Sequence, residues 1–322
     1  MASLRALLRR SAMDACVGSK SRGLQASHAR RSLHSQFFTQ RCQQRSPVWQ
    51  QSTAGMARWT KVRPKRIRVI TMDVTGTIVS FRGSLQKHYL GAASKCGINV
   101  DIDEKTIQDA FKRAYNETSN LYPCFGGPTL SAKEWWKECV IKSFTYCGIR
   151  MTPIQEVQVF QRIYSTFGSN AAYSAFDDAR PFLRWAQRNG IVCGVLSNAD
   201  ERYGDSILPM LGFTHDELQF QVFSKDVGFE KPSPQIFRAA MSQGESLFAA
   251  GAEPCLPSEV LHIGNDFRKD FEGARSMGIH SLLLDRYGEE DLADEWKRRG
   301  APVLMDLMDV VEYLGRSGCK LG

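Results

Sequence analysis

Asp73 ends the β-branched run of RIRVITMDVTGTIVSF and is followed at once by a glycine-containing turn, which presents its carboxylate at the edge of a sheet. A carboxylate so placed can attack phosphorus to give an aspartyl-phosphate, splitting one hard hydrolysis into two easier steps. The alternative is an aspartate that only caps the turn. Three further strand ends carry polar groups. Ser197 and Asn198 close Val195-Leu196-Ser197-Asn198-Ala199, where a hydroxyl and free amides before a helix favour an anionic oxygen. Lys225 and Asp226 close another. Asn265 and Asp266 follow His262-Ile263-Gly264, and Asp270 lies four residues beyond Asp266, so a helix that begins early puts both carboxylates on one face as oxygen ligands for Mg²⁺. Lys231, in Glu230-Lys231-Pro232-Ser233-Pro234, is fixed at a rigid turn, where its charge can neutralise a phosphate or the nucleophile. Singly, each is as readily a solvated loop. Together, one group per strand end, they point to one site.

The elements that must position these groups follow from periodicity. Arg68 to Met72 reads as a buried strand, and Ser84 to Phe167 as helical throughout. Ser131-Ala-Lys-Glu134 is a capping box, and Thr152-Pro153 opens another helix. Trp135 and Trp136 are adjacent and cannot face one side of a helix. Packing of both within the helical block is preferred over exposure of one at a contact. From about Phe176 the chain alternates: helix 178–189, strand 191–196, helix 201–211, strand 219–223, helix 234–242, strand 260–263, helix 267–277, strand 281–284. Such alternation predicts a parallel sheet covered on both faces, with ligands at the carboxyl ends of its strands. Residues 244–258, rich in Gly, Ala and Pro, read as a surface insertion.

The series D-x-T-G-T, then a strand ending S-N, then K-P-x-P-x-I-F, then H-I-G-N-D-x-x-x-D-x-x-G-A resembles the four motifs of the haloacid dehalogenase (HAD) superfamily, over roughly residues 66 to 290. The resemblance implies an α/β fold: a three-layer, Rossmann-like parallel sheet core from 66–83 and 176–322, with a helical cap of the C1 type inserted at 84–175. Phe111-Lys-Arg-Ala-Tyr115 and Glu134-Trp135-Trp136 make the cap most like that of one eukaryotic subfamily. It implies a Mg²⁺-dependent phosphatase acting on a small phosphate monoester, with Asp73 as nucleophile and Ser197, Lys231, Thr77 and Asn198 around the phosphate. Asp73, the Thr75 carbonyl, Asn265, Asp266 and Asp270 would then stand near the metal. Two departures bear on catalysis. Thr75 occupies the place of the usual acid–base aspartate, and a hydroxyl has no accessible acid pKa near neutrality. Asn265 replaces the usual metal-binding aspartate with a neutral carbonyl. The alternatives are carbon–halogen hydrolysis by the same aspartate, and a catalytically inactive binding protein.

Of 322 residues, 43% are hydrophobic and 24% charged, which excludes fibrous and wholly disordered classes. The net charge of +8 is misleading. Residues 1–65 hold thirteen Lys or Arg against one acid, Asp14, and the remainder is mildly acidic, so no nucleic-acid partner is implied. Residues 1–65, opening with Leu4, Leu7 and Leu8 beside Arg5, Arg9 and Arg10, are expected to be an organelle transit peptide, mitochondrial in preference to plastid. No apolar run reaches the roughly 18–20 residues of a membrane span. Nine cysteines without a C-x-x-C pair suggest reduced thiols, not a disulfide framework or a zinc site.

Overall fold

The computed structural model describes residues 64–322, so the expected transit segment lies outside the described residues except for Pro64 and Lys65, and Cys16 and Cys42 lie outside with it. A short strand, Arg66–Ile67 (β1), leads into Val69–Met72 (β2), buried along its whole length, and Val79–Phe81 (β3) follows Asp73 and its turn. Four helices come next: Leu85–Lys95 (α1), Glu104–Leu121 (α2), Ala132–Tyr146 (α3) and Pro153–Thr166 (α4). Their starts are dictated locally. Asp103 accepts from Thr106 N at 2.7 Å, and both expected caps form reciprocal boxes, Ser131 with Glu134 and Thr152 with Gln155.

The chain returns through Tyr173–Ala175 (β4), which pairs antiparallel with β3, Ser80 opposite Ser174. In sequence, residues 173–175 read as part of the helical insertion. The triplet Tyr173-Ser174-Ala175 is too short for alternation to announce a strand, and only pairing with β3 makes it one. Beyond it lie Ala179–Arg188 (α5), Val192–Ser197 (β5), Phe220–Phe223 (β6), Pro234–Glu245 (α6), Val260–Gly264 (β7), His280–Leu284 (β8), Glu290–Arg298 (α7), Val303–Leu304 (β9), Leu307–Arg316 (α8) and Lys320–Leu321 (β10). The last strand pairs with β1.

Six strands form one parallel sheet in the order β6-β5-β2-β7-β8-β9. The strands that read as continuous apolar runs are those buried on both faces, as a parallel sheet between helical layers requires. From β2 the chain fills the sheet to one side with β5 and β6, then to the other with β7, β8 and β9. A crevice therefore opens at the carboxyl end of β2, the place where α/β sheets bind ligands. Asp73 is the next residue.

Two expected helices differ in detail. Residues 201–211 contain a π-helical turn, Tyr203–Ile207, before Leu208–Met210, and residues 267–277 contain another, Phe267–Glu272, before Gly273–Ser276. A π turn carries an extra residue and is invisible to a 3.6-residue reading. Trp135 packs between the cap helices and donates to Tyr122 O at 2.8 Å, whereas half-buried Trp136 points at the core. Among the described residues all seven cysteines are free thiols, and no helix is long and apolar enough to cross a membrane.

Candidate active site

Asp73 is 2% exposed at the end of β2, and its neighbours come from three other places in the chain. Ser197, the last residue of β5, donates its hydroxyl to Asp73 Oδ1 at 2.8 Å. Lys231 donates from Nζ to the same oxygen at 2.8 Å and to Asp270 Oδ1 at 2.6 Å. Asn198 positions that lysine: its Nδ2 donates to Lys231 O at 2.9 Å, while Lys231 N donates to its Oδ1 at 2.6 Å. Asp73, Ser197, Asn198, Lys231 and Asp270, all singled out in sequence, are thus one hydrogen-bonded cluster.

Asp270 and Asp266 do not share a face toward a metal, contrary to the sequence expectation. Each oxygen of Asp270 accepts two hydrogen bonds: Oδ1 from Lys231 and from His262 Nε2 at 3.1 Å, Oδ2 from Asn265 N at 2.9 Å and Asp266 N at 2.8 Å. That fills the lone pairs of a carboxylate. The π turn swings Asp270 inward under the end of β7, and Gly264 permits it, because a Cβ there would sit 2.2 Å from Asp270 Cγ. Asp266 is an N-cap, its Oδ1 accepting from Arg268 N at 3.0 Å and Lys269 N at 2.9 Å.

Burial alone would push the Asp270 carboxyl up, but the Lys231 charge and the His262 hydrogen bond hold it below the usual range. Burial opposes the Lys231 charge, and Asp270 and Asp73 more than restore it, leaving that ammonium above its ordinary value. For His262, burial dominates and lowers the imidazole, so the ring is neutral. Its carboxylate partner then assigns the proton to Nε2, leaving Nδ1 to accept from the Thr71 hydroxyl at 2.9 Å. Nothing in the spacing of the chain announced His262 or Thr71 as supports for Lys231. The only signal is their position, opposite one another on paired strands.

Thr75 is fully buried, and its Oγ1 lies 3.0 Å from the hydroxyl of Tyr203. Burial raises the Tyr203 phenol, so both partners of this pair are neutral. Thr77 is also buried, with Oγ1 lacking any hydrogen-bond partner. Among the other atoms in that condition are Asp73 Oδ2 and Asn265 Oδ1, which belong to the residues that follow the paired strands β2 and β7. Two buried, unpartnered oxygens are the kind of donors a hard divalent cation takes, and the Thr75 carbonyl is the third group expected from sequence. The fit to Mg²⁺ is therefore real but poor in charge. Asp73 supplies the only carboxylate of the set, and the described residues contain no cluster of three His, Cys, Asp or Glu that could hold a metal.

A cavity of about 60 Å³ adjoins the cluster, between the four cap helices and the loop after β5. Asn198, Ala199, Asp200, Arg202 and Tyr203 line its core side. Asp200 is 1% exposed, and Arg202 grips it twice, Nε to Oδ1 and Nη2 to Oδ2, both at 2.8 Å. Trp136 Nε1 of the cap donates to Asp200 Oδ2 at 2.7 Å, and the Arg202 guanidinium lies 4.4 Å from the Tyr164 ring centroid. A second cap contact is made by Lys225, whose Nζ donates to the carbonyls of Gly127, at 2.6 Å, and Leu130. Lys225, a strand-end residue in sequence, thus holds the cap and lies outside the Asp73 cluster. Asp200, Arg202 and Tyr203 were missed in sequence, although they follow Ser197-Asn198 directly.

A family profile described as haloacid dehalogenase-like hydrolase matches residues 67–278. Haloacid dehalogenase-like hydrolase domain-containing protein 3 of Bos taurus is 30% identical over 266 residues, covering 80% of this chain and 98% of its own. Among solved structures, the defluorinating L-2-haloacid dehalogenase Rha0230 superposes with a TM-score of 0.57 at 18% identity, over 79% of this chain and 98% of that one. The magnesium-bound HAD hydrolase YfnB of Bacillus subtilis does so with a TM-score of 0.55 at 14% identity, over 78% and 100%. At these identities the two structures speak for the fold alone.

Proposed function

Because the chain belongs to the haloacid dehalogenase-like hydrolase family, we propose that it hydrolyses a small phosphate monoester through an aspartyl-phosphate on Asp73. The observation that carries this reading is the convergence of Ser197 and Lys231 on Asp73 Oδ1, both at 2.8 Å, which leaves Oδ2 free to attack. Lys231 supplies a fixed positive charge where the transferring phosphoryl group accumulates negative charge, and the buried setting strengthens it. Ser197 and the amides after it take a phosphoryl oxygen. The unpartnered hydroxyl of Thr77 is a further donor. Mg²⁺, when held by the Thr75 carbonyl and Asn265 Oδ1 beside the Asp73 carboxylate, would add charge neutralisation to the phosphoryl oxygens.

Proton transfer to the leaving group is the weak point. The Thr75 hydroxyl is bonded to the neutral Tyr203 phenol, and neither group is acidic near neutral pH, so substrates with good leaving groups react best. The decisive experiment is to incubate the protein with an acyl- or aryl-phosphate and Mg²⁺, quench in acid, and look for a hydroxylamine-sensitive phosphate adduct. The parent should form it and Asp73→Asn should not.

Two other readings are less well supported. A haloacid substrate needs a cation for its carboxylate beside the reacting carbon, and the arginine of the adjoining cavity is already neutralised by Asp200. An inactive binding protein would gain nothing by keeping Asp73 Oδ2 buried without a hydrogen-bond partner. Binding of BeF₃⁻ with Mg²⁺ discriminates, since an inactive pocket need take neither. We further propose that residues 1–65 are an organelle address, mitochondrial before plastid, on the strength of their basic, nearly acid-free composition. A fluorescent fusion of that segment tests it.

A further inference from the structure

We propose that the cavity between the cap helices and the loop after β5 seats the organic part of the substrate, and that this part is an apolar ring, an aryl or arylmethyl group, and not a sugar or polyol. The inference rests on the assignment of Asp73 as phosphoryl acceptor and adds the identity of what the phosphate is attached to. Position comes first. Ser197 touches Asp73, and the next residues, Asn198 and Ala199, already line the cavity. Tyr203 joins from the other side, bonded to Thr75 two residues beyond Asp73 and lining the same cavity. A phosphoryl group held at Asp73 therefore has its ester substituent beside this space.

Chemistry of the wall comes second. Ten of the seventeen lining residues are aromatic, Phe81, Phe111, Phe125, Trp136, Phe167 and Tyr173 among them. Of the polar side chains on the wall, those of Asn198, Asp200, Arg202 and Tyr203 are committed elsewhere, and the polar atoms that remain are phenolic hydroxyls carried on the aromatic residues themselves. Asn198 is engaged with both backbone groups of Lys231, and Asp200 accepts from Arg202 and Trp136. The Arg202 charge is cancelled by Asp200, and Tyr203 is bonded to Thr75. A polyol entering here would exchange its hydrogen bonds to water for a few phenolic hydroxyls, too few to satisfy several hydroxyl groups, whereas an apolar ring gains by burial and by edge or face contacts with the aromatic wall. The cavity measures about 60 Å³, below the roughly 150 Å³ that holds benzene in a protein interior, so a ring enters as the wall yields. Half-buried Trp136, tied to the core through Asp200, is the wall element that links the two sides.

The test separates fit from leaving-group chemistry by comparing two alkoxide leaving groups, benzyl phosphate and glycerol phosphate, which need the same proton transfer. Benzyl phosphate should show the lower KM, and in calorimetry on the full chain benzylphosphonate should bind at least about ten-fold more tightly than 2-hydroxyethylphosphonate. Val140→Phe, which puts a ring into the cavity from α3, should erase both preferences. Equal binding of the two phosphonates, or a preference that survives in folded Val140→Phe, overturns the proposal. If that variant does not fold, Ile163→Ala decides in its place: it should improve binding of naphthylmethylphosphonate relative to benzylphosphonate, and no change overturns the proposal. Were neither ester turned over while benzylphosphonate kept its advantage, the ring seat would stand and the hydrolytic assignment of Asp73 would fall.

Discussion

Lys231 Nζ lies 2.6 Å from Asp270 Oδ1, with side-chain exposures of 1% and 0%. The lysine cannot be removed without leaving Asp270 and Asp73 as adjacent buried anions. Lys231→Ala should therefore abolish turnover and also lower stability, by on the order of 3–5 kcal/mol. Denaturant unfolding at neutral pH checks the second effect. Lys231→Arg should recover part of the stability and little of the activity, since a planar fork cannot place one donor between two carboxylates as an ammonium does.

Asp73→Asn should lose the aspartyl-phosphate and all turnover while keeping the fold. Ser197 and Lys231 can still donate to the amide oxygen at the Oδ1 position. Near-parental circular dichroism with no phosphate adduct is the expected pair of results, and turnover comparable to the parent would remove covalent catalysis by Asp73.

Thr75→Asp places a carboxyl in a fully buried position next to the Tyr203 hydroxyl. Burial favours its protonated form, which is the form that donates to a leaving group. Turnover of alkyl phosphates should rise by roughly 10²–10⁴-fold, with a smaller gain for aryl phosphates, whose leaving groups need less help. A gain of equal size for both classes would show that proton transfer is not what limits the parent.

Asn265→Asp converts an unpartnered neutral oxygen into a second carboxylate beside Asp73. Mg²⁺ affinity, followed by calorimetry, should increase because hard-cation sites are tuned by ligand charge. Without the ion the same variant should melt below the parent, as two anions then face each other. A melting temperature that is insensitive to Mg²⁺ in Asn265→Asp would place the metal elsewhere.

Burial would raise the Asp200 carboxyl, but Arg202 and the Trp136 hydrogen bond outweigh it and hold the folded value below the usual range. A depressed folded value means stability that is fully present above the unfolded carboxylate pKa of about 3.9 and lost as pH falls below it. Asp200→Asn should thus cost about 3 kcal/mol near neutrality, and the gap to the parent should close with acidification. Trp136 reports directly, so its fluorescence should shift in the parent over that acid range and remain constant in the variant.

The sheet and its order of catalytic strand ends were legible because β2, β5 and β7 are short β-branched or apolar runs, each stopped by a polar residue. The helical insertion was legible from its helix starts, written as Ser131 with Glu134 and as Thr152-Pro153. The failures have physical causes. Strands β3 and β4 are three residues each and exist only by pairing with one another, so no local pattern marks them. Asp270 read as a metal ligand because a regular helix would show it on the face of Asp266, whereas the π turn delivers it to Lys231. The ties that join the cap to the site, Trp136 to Asp200 and Lys225 to the Gly127 and Leu130 carbonyls, connect residues far apart in sequence, which single-chain spacing does not encode.

The helical insertion leaves and rejoins the core through the two three-residue strands β3 and β4, with Arg82 N still bonded to Ala172 O at 2.7 Å where it departs. Paired strands hold their Cα atoms about 4.5–5.5 Å apart, a gap that a two-residue turn closes. As far as the sheet is concerned, some ninety residues of chain are interchangeable with a hairpin. A lineage could therefore exchange the insertion for another, and with it the molecules admitted to Asp73, without disturbing the strands that aim the nucleophile.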